Sequence, residues 1–102
     1  MANELKDWPA GLCVELAVLR FTVETSQKIF GVKFKEDYDD LDYFDYAIIR
    51  IEDFKFALIR YRGSPLPGIT LLGIENLAID EQLRFFLKHF KISKDKISWS
   101  AS

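Results

Sequence analysis

The stretch Tyr46-Ala47-Ile48-Ile49-Arg50-Ile51-Glu52-Asp53-Phe54-Lys55-Phe56-Ala57-Leu58-Ile59-Arg60-Tyr61-Arg62 decides the fold. Tyr46–Ile51 and Phe54–Arg62 are rich in β-branched and aromatic residues and flank Glu52-Asp53, which predicts a β-hairpin. With Glu52-Asp53 as a two-residue turn, Ile51 faces Phe54, Ile49 faces Phe56 and Ala47 faces Leu58. All six are apolar and share one side of the pleat, the pattern of a half-buried antiparallel ribbon. Glu-Asp is not the preferred turn pair, so a longer loop with a shifted register stays open.

The opposite side of the same ribbon carries Tyr46, Ile48, Arg50, Lys55, Ala57, Ile59 and Tyr61. That set is more apolar than a solvent face needs, which makes it a candidate contact surface. A second copy of the chain is the simplest cover. Arg60 and Arg62 fall on the core side but beyond its apolar part. They adjoin the turn cluster Gly63-Ser64-Pro65-Leu66-Pro67-Gly68, whose backbone offers donors. The two arginines are therefore candidate anion-binding residues, with a pocket expected between helix and sheet near the 65–68 loop. No phosphate-loop spacing accompanies them. Asp42 or Asp45 of the chain itself is an equally good partner for them, and exposed pairs of that kind add little stability.

Upstream, Trp8–Phe30 has helical spacing in Leu12, Leu16, Leu19, Val23 and Phe30, with Asp7 as N-cap, Pro9 in the first turn and Gly31 as the stop. The alternation of Val14, Leu16 and Val18 and the β-branched run 18–25 compete for strand in part of it. Lys33–Glu36 reads as a short extended piece. Downstream, Ile69–Ile74 reads as a strand. Asp80 is placed to cap a helix with Leu83, Phe86, Leu87 and Phe90 on one stripe and Lys88, His89 and Lys91 in its last turn. Ile97-Ser98-Trp99 can close the sheet. The expectation is one α+β domain over residues 1–102. Its antiparallel sheet has three to four strands with both helices on one face, in the order α-β-β-β-α with an optional last strand.

Between the first helix and the hairpin lies Asp37-Tyr38-Asp39-Asp40-Leu41-Asp42-Tyr43-Phe44-Asp45-Tyr46, with five aspartates and four aromatics. A solvated linker would have few rings, so the segment is either the entry to the sheet or an acidic surface for a basic partner. Phe44 belongs to a core. Asp37, Tyr38, Asp39, Asp40, Asp42 and Tyr43 are the candidate partner-binding residues, combining steering charge with rings. As a calcium loop the segment fails. An EF-hand starting at Asp37 would have Leu41 at its fifth position, Asp42 at its sixth and Ile48 at its twelfth, where an oxygen ligand, glycine and glutamate are needed. A solvated acidic loop outweighs a looser metal site at Asp39, Asp40 and Asp42.

The chain has 102 residues, 49% hydrophobic and 15% aromatic, with a net charge of −2. The five clustered aspartates exceed that net charge, so the rest is slightly basic without a basic patch, and no nucleic-acid partner is expected. A lone cysteine, Cys13, excludes an internal disulfide and fits a reducing compartment. No signal peptide is visible, and the apolar run 12–23 contains Glu15 and Arg20, too polar to span a bilayer. Cys13 reads as a small buried thiol on the first helix and His89 as a surface cation, not a catalytic pair. No metal, nucleotide or cofactor signature is present. The sequence therefore favours a small, soluble, cytoplasmic, non-catalytic protein acting by association with itself or with a basic protein. An anion- or small-molecule-binding domain is the alternative.

Overall fold

The hairpin forms with the register expected of it. In the computed structural model, which describes residues 8–40 and 42–101, strands β3 (Tyr43–Ile51) and β4 (Phe54–Tyr61) pair so that Ile51 meets Phe54, Ile49 meets Phe56 and Ala47 meets Leu58. Glu52-Asp53 is the turn, and Glu52 takes the left-handed conformation at φ 55°. A non-glycine residue there costs about 1 kcal/mol, which the long ladder on either side offsets.

The N-terminal region departs from the helix expected over 8–30. It holds strand β1 (Leu12–Leu19) followed by helix α1 (Val23–Phe30). The misleading signal has a physical origin. β1 is irregular between Leu12 and Val14 and again between Glu15 and Ala17. Each irregularity shifts the phase of the pleat, so the buried leucines fall at Leu12, Leu16 and Leu19, which mimics a helical stripe. The Asp7 cap lies outside the described residues. Thr22 is the actual N-cap, its hydroxyl accepting from the Thr25 amide at 3.0 Å, and Gly31 ends α1 in the left-handed conformation, as its position predicted.

The remaining elements are β2 (Lys35–Tyr38), β5 (Ile69–Ile74), α2 (Ile79–Phe90) and β6 (Ile97–Ser100). The class is α+β, but the sheet has six strands rather than three to four, in the order β2-β3-β4-β5-β1-β6 with every neighbouring pair antiparallel. Ala78, not Asp80, is the N-cap of α2. Asp80 sits in the first turn, where its charge still favours the amide end of the helix.

Both helices pack on one face. Phe30 of α1 and Leu83 and Phe86 of α2 join Leu16, Leu19, Ile49, Phe56, Leu58 and Leu71 in the core. Phe86 meets Phe30 and Phe56 with ring centroids at 5.3 and 4.8 Å. Each such side chain removed from water contributes about 1.5–3 kcal/mol, so this face carries most of the stability. Buried Gln82 straps α2 to the end of β5. Its side-chain oxygen accepts from the Ile74 amide at 2.8 Å, and its amide donates to the carbonyls of Ile74 at 2.9 Å and Leu77 at 3.3 Å. Gly73 makes room for it, since a Cβ there would lie 2.5 Å from the Gln82 oxygen.

Among the described residues no helix crosses the other face of the sheet. The hairpin presents Tyr46, Ile48, Ala57, Ile59 and Tyr61 there, and the pairing continues it through Thr70 and Leu72 to Val18. Trp8 covers part of one end, its ring 5.7 Å from that of Tyr46.

Candidate functional site

The acidic segment is largely consumed by the sheet. Asp37 and Tyr38 lie in β2, and Tyr43 to Tyr46 lie in β3. Between them the Asp39 amide donates to the Asp42 carbonyl and the Asp42 amide to the Asp39 carboxylate, both at 3.0 Å, closing the β2–β3 turn. The Tyr61 hydroxyl donates to Asp39 across the sheet at 2.7 Å. Burial first, then this bond to a carboxylate, pushes the Tyr61 phenol up to about 12. Asp42 accepts from the Gly63 amide and from the Tyr43 amide, and Asp37 accepts from the Tyr38 amide at 2.7 Å. These are turn-closing roles for short carboxylates. Phe44 is buried as expected. Asp40 is exposed, and the paired rings of Tyr38 and Tyr43 are 49% and 54% exposed with centroids 5.6 Å apart.

The two arginines separate. Arg62 forms a fork on Asp45, at 2.8 and 3.3 Å, and reaches Glu36 at 3.2 Å. The bond to Asp45 holds its proton more firmly than usual. Pairing within the chain, one of the two expected arrangements, is the one seen at Arg62. Arg60 instead turns its guanidinium onto the β4–β5 loop, donating to the carbonyls of Leu66 and of Gly68, the latter at 3.1 Å. It therefore shapes a loop, and the two guanidiniums engage different partners.

Cys13 and His89 also stay apart. Cys13 is exposed on β1 beside Glu75 rather than buried on a helix. His89 is exposed and packs against Phe85 and Phe90. Among the described residues no group of three His, Cys, Asp or Glu side chains is placed to hold a metal ion. No described helix is long and apolar enough to cross a membrane.

An open cleft of ≈ 970 Å³ lies at the end of the sheet, beside the loop that Arg60 folds. Its floor is the helix-free face: Val18, Ile59, Tyr61 and Thr70. One wall is the loop Ser64 to Gly68. The other is the β1–α1 connection, Arg20 to Val23, with Trp99 of β6 at the rim. Gly68, at φ 109°, lets the loop come down onto β1, since a Cβ would lie 2.8 Å from the Leu19 carbonyl oxygen. Leu66 and Trp99 stand on the rim at 72% and 47% exposed.

The sequence points to the loop and Arg60, but as parts of a pocket between helix and sheet, whereas the cleft has the helix-free face as its floor and is lined also by Val18, Phe21, Thr70 and Trp99. Three of these lie in elements read as helix or as a plain closing strand. The available signal was Leu66 between two prolines, an apolar side chain that the turn cannot bury. A comparison with protein-family models, with curated proteins and with solved structures finds no match to this chain.

Proposed function

We propose that this chain is a non-catalytic binding module whose recognition site is the cleft between the 64–68 loop and the β1–α1 connection. The observation that supports this reading is an apolar floor continuing the helix-free sheet face, with Leu66 and Trp99 left exposed at its rim. Large apolar groups beside a concavity are what a binding site retains at the cost of solubility. The described lining contains arginine, hydroxyl and apolar side chains but no carboxylate, imidazole or thiol, which favours binding over proton transfer. Calorimetric titration with 1-naphthalenemethanol tests it. Heat is expected from the native chain and none from Thr70→Trp, which fills the floor. Equal heats from both, with circular dichroism unchanged, remove the cleft as the site.

A second reading is self-association through the rest of the helix-free face, favoured by the half-exposed apolar positions around Tyr46 and Ile48. Light scattering at ~100 μM, sensitive to an association free energy of about 5–6 kcal/mol, tests it. A dimer has twice the 11.9 kDa mass, and a strictly monomeric result excludes it. The unpaired, exposed Cys13 accords with a reducing, cytoplasmic setting for either reading.

A further inference from the structure

The geometry points to an amphipathic anion, an apolar or aromatic body bearing one carboxylate-type head, as the ligand class of the cleft. This rests on the cleft being the binding site and adds the chemistry of its occupant. The chain is acidic overall, with 16 Asp and Glu against 14 Lys and Arg, yet the charged side chains of this lining are Arg20 and Arg60 alone among the described residues. The charge has been segregated. The carboxylates that face the sheet near this end, Asp39, Asp42 and Asp45, are engaged by Tyr61, Gly63 and Arg62 instead.

The two cations have different jobs. Arg60 uses Nη1 on the carbonyls of Leu66 and Gly68, so it fixes a wall and lends positive potential to the cleft. Arg20 is exposed at the mouth and forms no ion pair among the described residues. Its backbone is pinned, the Arg20 amide donating to the Lys96 carbonyl at 2.7 Å, so the side chain starts from a fixed point. Asp95 feels Arg20 only weakly, its carboxyl being held low chiefly by the Ser93 hydroxyl and lastly by Arg20. A guanidinium so placed can fork onto a carboxylate while the body of the ligand lies on Val18, Ile59 and the Thr70 methyl, edged by Trp99.

Three probes that share one ring and differ in head-group charge decide it by calorimetry: 1-naphthoate, 1-naphthalenemethanol and 1-naphthylmethylammonium. The expected order is anion, then neutral, then cation, with the anion ahead of the neutral by ~10-fold, equivalent to about 1.4 kcal/mol. Arg20→Gln should remove most of the anion's advantage over the neutral probe and leave the neutral probe unchanged. Raising ionic strength should weaken the anion alone. Equal binding of all three, or an anion preference undiminished by Arg20→Gln, overturns the inference while leaving the cleft as a site. Failure of every probe to bind at millimolar concentration overturns both.

Discussion

Replacing Gln82 by methionine isolates the side chain that fastens α2 to the sheet. Methionine matches its length and apolar stem but has neither donor nor acceptor for the backbone. The native amide makes three hydrogen bonds, two to Ile74 and one to Leu77, in a fully buried position. At about 1 kcal/mol net per bond the loss is roughly 3 kcal/mol. The better burial of a thioether returns up to ~1 kcal/mol, and Ile74, only half-buried, can recruit water for part of its loss. The net prediction is therefore about 2–3 kcal/mol, a large share of the ~5–15 kcal/mol typical of such a domain. Urea unfolding followed by circular dichroism should show a lower midpoint at unchanged slope. A thermal scan should fall by roughly 8–24 °C. A loss below ~0.5 kcal/mol would refute the strap and make Gln82 a spectator.

Gly68→Ala should destabilise the chain by about 2–3 kcal/mol, because alanine is strained at φ 109° and its Cβ meets the Leu19 carbonyl; chemical denaturation measures it. Asp42→Asn and Asp40→Asn separate structure from surface. The first weakens the bonds to the Gly63 and Tyr43 amides and lowers the unfolding midpoint, while the second, at an exposed position, leaves it in place. The Tyr61 phenol, raised from 10.0 to about 12, stabilises the fold while protonated. That contribution is complete below pH 10 and disappears as pH rises through the window up to about 12. Tyr61→Phe should remove this alkaline phase from the stability profile, and ultraviolet titration should show a late-ionising phenol that the variant lacks. Glu52→Gly should raise stability by up to ~1 kcal/mol, since glycine takes the left-handed turn position without strain.

The hairpin was legible because its alternation is unbroken, and the register of Ile51 with Phe54 through Ala47 with Leu58 follows from period two alone. The same logic failed over residues 12–19, where two irregularities re-phase the pleat and imitate a helix. α2 was legible from its stripe, but Gln82 on the buried side was not, since its partners belong to β5 and the turn after it. The acidic segment was legible as anomalous. Its role was hidden because Tyr61, Arg62 and Gly63, which engage it, come from the far end of the hairpin and approach only once the sheet has formed. At the cleft, the turn-rich loop and Arg60 could be read locally. Val18 and Trp99 meet there through the β1–β6 pairing, a contact across some eighty positions of sequence.

The most direct test of the cleft as the recognition site is amide chemical-shift mapping of the labelled chain titrated with 1-naphthoate. Saturable shifts are expected at Val18, Arg20, Ile59, Thr70 and the Trp99 indole, with the amides around Tyr38 and Tyr43 unmoved. Shifts centred on the β2–β3 corner or on α2, with those cleft signals fixed, would contradict it.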